Sequence, residues 1–121
     1  MALAADYLDS AGPLSVGDVQ IIYQVIMEDF RDHDLALIAV GIAFGETIAA
    51  KAGWEWVRVT DEYGSETSLG PAGYNITCHP ISMIQKRIQD GVSVEIEELR
   101  DETIAHIQRR IADGWVGVRR H

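Results

Sequence analysis

Residues 35–45, LALIAVGIAFG, form a run of 11 without a charge or a polar side chain, and Glu46 ends it. A helix that is apolar on nearly every face is either a membrane span or the centre of a core. The run stops short of the roughly 18–20 residues that a bilayer crossing takes. It therefore predicts a central core helix over about residues 34–52, with Gly53 as a left-handed cap. Two glycines, Gly41 and Gly45, stand about one turn apart inside it. Each costs roughly 0.5–1 kcal/mol relative to alanine in a helix interior, so a compensating gain is required. A small face on which another backbone approaches closely, offsetting the cost with dispersion contacts, supplies one.

A chain of 121 residues, 47% hydrophobic and 24% charged, is long enough for one self-sufficient domain, expected over 1–121 with loose termini at 1–12 and 115–121. One cysteine, Cys78, excludes an internal disulfide and a cysteine zinc site and fits a reducing compartment. The start MALAADYLDSAGP lacks the basic and apolar regions of a signal peptide, so a cytoplasmic location is expected.

The formal net charge is −9, and its distribution is uneven. Residues 1–83 hold 12 Asp and Glu against Arg31, Lys51 and Arg58, whereas residues 84–121 hold seven of each sign. Nucleic acid is a poor partner for such a chain, because phosphate neutralisation needs a clustered Lys/Arg surface. The excess is either a solvated face or an attraction for a basic protein.

Ser15 and Asp18 have capping-box spacing and open a helix through about residue 29, with the apolar stripe Val19, Ile22, Tyr23, Ile26, Met27 and Phe30. After the central helix, WEWVRV reads as a strand, with Trp54 and Trp56 on one face, and DEYG as the turn of a hairpin. A second strand over 65–69, the turn PAGYN and a third strand over 76–79 complete a meander. A short helix follows in PISMIQKRIQDG, capped through Ser82 and Gln85 and ended by Gly91. The last helix runs over about 96–112 and stops at Gly114. The expected class is α+β in the order α-α-β-β-β-α-α: a three-stranded antiparallel sheet packed by helices, to which the tail WVGVRRH could add a fourth strand.

Catalytic chemistry finds little support. Neighbouring strand residues point to opposite faces, so Cys78 and His79 cannot form a dyad. Asp29, Asp32, His33 and Asp34, or Glu102 with His106, lack the ligand density of a zinc site and the loop of a calcium hand. Neither a phosphate loop nor a serine elbow is present, and no cofactor, metal or catalytic residue is expected. Glu46 must be paired if it points inward, with Arg58 or Arg87 as candidates; if it faces solvent, it marks where the helix emerges. The tryptophans are core or a platform for a partner.

The motifs GIAFGE, EWVRVTDEYG and PISMIQKRIQDG together resemble a family of small bacterial domains of unknown function. The resemblance covers about residues 34–95: Gly41, Gly45 and Glu46 in a helix, Trp56 and Val57 followed by Asp61 and Gly64 in a hairpin, and Pro80, Ser82, Met83, Ile84, Lys86 and Arg87 in the next helix. It implies no established activity. Some domains of this general appearance look like immunity proteins encoded beside toxins, and the joint appearance of Glu46 with Lys86 and Arg87 suggests that they meet.

The favoured reading is thus a small acidic binding protein of immunity or inhibitor type, not an enzyme, that occludes a basic protein such as a toxin domain. Fast occlusion benefits from electrostatic steering and needs no catalytic constellation. The expected contact surface is Asp61, Glu62, Tyr63 and Glu66 on the hairpin with Asp29, Asp32 and Asp34 between the first helices. A ligand-binding or homodimerising module is second, and an enzyme using Glu46, Asp61 or Glu62 with Arg87 is third.

Overall fold

In a computed structural model, residues 14–114 are described apart from positions 63 and 75. Among these residues the elements are α1 (Val16–Asp29), α2 (Asp34–Ala52), β1 (Glu55–Asp61), β2 (Gly64–Gly70), α3 (Pro80–Gln89) and α4 (Ile96–Ala112). Position 63 and the two termini, including the proposed fourth strand, lie outside the described residues.

Local signals account for most element ends. Ser15 Oγ accepts the Asp18 N–H at 3.1 Å while Asp18 Oδ2 accepts the Ser15 N–H at 3.2 Å, the reciprocal box that starts α1. His33 caps α2, its Nδ1 accepting the Ala36 N–H at 3.2 Å. Gly53, at φ 72°, ends α2 in the left-handed region that a side chain would oppose.

Helix α2 is the axle of the fold. Its 19 residues reach a mean hydropathy of 1.7, enough on length and composition to cross a membrane. Most of that stretch is buried inside the domain, however, and α1, α3 and α4 all pack on it, as expected of a core helix. Leu37, Val40, Phe44 and Ile48 are fully buried along it. The glycine face meets α3 and β1: a Cβ added at Gly41 would stand 2.6 Å from Ile81 Cα, and one at Gly45 would stand 2.5 Å from Trp56 Cζ2 and 3.2 Å from Pro80 Cβ. The two glycines are where a helix and an indole come closer to α2 than any side chain would allow.

The sheet corrects the sequence expectation, since among the described residues it has two strands. β1 and β2 pair antiparallel from Glu55↔Gly70 to Asp61↔Gly64, but residues 76–79 add only the single bridge Leu69↔Cys78, with hydrogen bonds of 3.0 and 2.8 Å. Two prolines explain the shortfall. Pro71 has no N–H to donate and opens a turn with Gly73 at φ 86°, while Pro80 is the first residue of α3, so His79 already serves as a helix cap. The order is α-α-β-β-α-α, still α+β.

A second correction concerns Phe30. Val19, Tyr23 and Ile26 form the buried face of α1, but Phe30 is 46% exposed. Helix α1 ends at Asp29, so Phe30 leaves the helical period as the C-cap.

Helix α1 also secures the start of α4, which has no side-chain cap of its own. Gln20 donates through Nε2 to the Val94 carbonyl at 2.9 Å and accepts the Ile96 N–H on Oε1 at 2.7 Å. One turn on, the Tyr23 hydroxyl donates to the Val92 carbonyl at 2.5 Å. The orphan donor of one helix is thus satisfied by a glutamine more than 70 residues earlier.

Candidate functional site

The exposed end of the α1–α2 pair joins apolar and acidic groups. Ile21 (61% exposed), Val25 and Phe30 line a groove of about 200 Å³ together with Ile22, Ile26 and His33. The Phe30 and His33 rings meet edge to face, centroids 6.2 Å apart at 87°. Leu35, 62% exposed, follows on the first turn of α2.

Asp29, Asp32 and Asp34 are exposed on the same connection. Asp34 lies in the first turn of α2, where the helix dipole favours a carboxylate. Glu28 and Asp29 lie at the other pole, in the last turn of α1, which holds no basic residue. Arg31 compensates in part, its Nε donating to the Met27 carbonyl at 3.2 Å. Glu28 and Asp29 therefore do not earn their place through helix stability.

The hairpin carboxylates divide. Glu62 is exposed at the tip, Asp61 ends β1, and Tyr63 falls outside the described residues. Gly64 begins β2 at φ 135°. Glu66 turns toward α3: Ser82 Oγ donates to its Oε1 at 2.5 Å and His79 Nδ1 lies 3.5 Å from its Oε2. Ser68, fully buried, lies 2.7 Å from the same His79 Nδ1. A serine, a histidine and a carboxylate meet here, but a nucleophilic triad needs the two ring nitrogens to face different partners. With both partners on Nδ1, the group ties β2 to α3 and engages Glu66 there, with its side chain still 43% exposed.

The expected ion pair of Glu46 is replaced by another contact. Glu46 is exposed, and its Oε1 accepts the Trp56 indole N–H at 3.1 Å. Arg87 donates through Nη1 to the Met83 carbonyl at 3.1 Å, one turn back on its own helix, and Lys86 faces solvent. The glutamate of the GxxxGE string thus holds the indole that packs on Gly45, which unites three motif residues in one structural role. Ser82 caps nothing on α3, because that helix starts at Pro80 and the hydroxyl serves Glu66.

The apolar groove escaped sequence reasoning. Ile21 and Val25 form a second stripe at i, i+4 spacing beside the buried one, a signal present in VQIIYQVIM.

Burial lifts the Cys78 thiol to about 11 from 9.0, so it is an inert core thiol. A raised native value means stability is complete below pH 9 and is lost as pH climbs toward 11, because the unfolded thiol ionises first. Chemical denaturation from pH 8 to 11 should therefore show a loss of about 2 kcal/mol that the Cys78→Ala variant lacks. Tyr23, also raised by burial, adds a decline above pH 10 in both proteins.

The elements define a small helical α+β domain built around a glycine-faced core helix. The chain belongs to the family described as Domain of unknown function (DUF3806), whose sequence profile matches residues 18–99. Comparison with curated proteins and with solved structures finds no match.

Proposed function

We propose that the domain is a protein-binding module of the immunity or inhibitor kind, and that its working surface is the apolar groove of α1 with the carboxylates of the α1–α2 connection. One observation carries this reading: Ile21, Val25 and Phe30 stand exposed around a concave surface beside Asp29, Asp32 and Asp34. An apolar centre with a charged rim is the anatomy of a protein interface, and such exposed patches mark interaction sites. The sign of the rim selects a basic partner carrying an apolar anchor. Two copies of this chain fit less well, because an isologous contact would oppose the same carboxylates across the axis.

The test is affinity capture from the source organism with the wild-type domain and with Val25→Lys, followed by association kinetics on the captured protein. A basic partner lost by Val25→Lys, whose association slows roughly tenfold between about 0.05 M and about 0.5 M salt, is the expected result. Asp29→Lys with Asp32→Lys should slow it in the same way, with Asp61→Lys and Glu62→Lys reporting any contribution of the hairpin. A partner indifferent to Val25→Lys and to salt would overturn the assignment.

A further inference from the structure

The hairpin leaves one strand edge open. Leu69 sends both its N–H and its carbonyl to Cys78, on the side of β2 away from β1. In an antiparallel ladder the residue opposite then turns its own backbone groups outward, and the alternation repeats at every second residue. Leu69 pairs with Trp56, so Trp56, Arg58 and Thr60 direct their N–H and carbonyl groups away from β2. Among the described residues no backbone group meets them on that side.

An edge of this kind is a template for another strand, and proteins that avoid pairing shorten it, bulge it, or place proline or lysine on it. β1 does none of these. Its seven residues pair with β2 in unbroken register, include neither proline nor lysine, and hold one charge, Arg58, between the end residues. Arg58, Val59 and Thr60 are exposed, Val59 at 37%. Arg58 makes no ion pair with any described residue.

We infer that β1 pairs antiparallel with β1 of a second copy, forming a four-stranded sheet across a two-fold axis at Val57. A two-fold axis between like strands centres the pairing on a single residue, which leaves few registers. Centred on Arg58, the two guanidiniums would oppose each other. Centred on Trp56, the two indoles would collide although each already packs on Gly45. Centred on Val59, Arg58 would face Thr60 and find no carboxylate. Centred on Val57, Arg58 of each copy stands opposite Trp56 of the other, beside Glu46, whose Oε1 holds that indole N–H at 3.1 Å while its second oxygen remains for a guanidinium. The valines then meet at the axis, and about four backbone hydrogen bonds join Trp56 and Arg58 across it. Charge complementarity thus selects a second copy as the occupant, since it brings Glu46 to an arginine that pairs with no carboxylate of its own chain. The edge shares no residue with the α1 groove, and the inference does not rest on that surface.

The test is sedimentation of the full chain from about 1 µM to about 1 mM, a range suited to a small interface, with amide hydrogen exchange at both ends. The expected result is a monomer–dimer equilibrium in which the Trp56, Arg58 and Thr60 amides slow at least about tenfold on concentration, whereas Val57 and Val59, bonded to β2, are protected throughout. Arg58→Pro removes an outward N–H without touching a bond to β2, and should weaken the dimer at least about tenfold. Arg58→Glu, which sets a carboxylate against Glu46, should weaken it as well and keeps the test valid if the proline variant unfolds. Val25→Lys should leave the dimer intact, so that this edge and the α1 surface succeed or fail separately. A chain that stays monomeric throughout, edge amides indifferent to concentration, or a dimer that survives Arg58→Glu or is dissociated by Val25→Lys would each overturn the inference.

Discussion

Gly41→Ala should destabilise the domain by about 1–3 kcal/mol, although the same exchange at an open helix position would stabilise it by about 1 kcal/mol. The new methyl would stand 2.6 Å from Ile81 Cα, and backbone cannot turn aside as a side-chain end can. Relief requires α3 to move off α2, which loosens Ile84 and Ile88, both fully buried. For a domain of this size each kcal/mol lowers the melting temperature by about 3–5 °C, so a thermal melt resolves the effect. Gly45→Ala should cost less, because its collision is with the Trp56 ring, which can swing away by giving up its hydrogen bond to Glu46. A Gly41→Ala protein that melts at or above the wild-type temperature would show that the close approach is not what the glycine serves.

Gln20→Ala should be about as damaging, by roughly 2–4 kcal/mol, because one truncation orphans two partly buried backbone groups. The Val94 carbonyl loses its donor, and the Ile96 N–H, at the start of a helix with no side-chain cap, loses its acceptor. Gln20→Glu separates the two halves: it keeps an acceptor for Ile96 and sets a carboxylate against the Val94 carbonyl. Denaturant titration should place it at or below the alanine variant if the carbonyl contact dominates, and above it if capping does. Tyr23→Phe removes the neighbouring bond to Val92 at about 1–2 kcal/mol, and the double variant should depart from additivity because the same loop is released once.

What the sequence discloses is what is local. The capping box at Ser15, the left-handed stop at Gly53, the reversal between Asp61 and Gly64 and the glycine face of α2 all follow from residues within a few positions of one another. The third strand failed because pairing depends on what flanks it, and the two prolines that limit it act on hydrogen bonds rather than on hydrophobic pattern. Glu46, Glu66 and Ser82 were legible as unusual residues but not by partner, since a partner 10 or 16 residues away depends on how a hairpin folds back. Gln20 gave no sign at all: a polar residue on a helix has the same sequence signature whether it meets water or a loop 74 residues distant. Of the candidate contact surface, the acidic part was visible in composition, whereas the apolar part was hidden by the ordinary look of a second apolar stripe.

The clasp between Gln20, Tyr23 and the loop before α4 has a consequence for the order in which the chain can fold. The hairpin closes through neighbours, and α2 meets α3 within a few dozen residues, so both can form early at modest loop-closure entropy. The clasp joins groups 69 to 76 residues apart and cannot exist until Ile96 is free to meet Gln20. A chain emerging N-terminus first must therefore carry α1 with its polar contacts waiting while everything between is made. Contact of the first helix with the start of the last thus cannot form until residues 92–96 have been made.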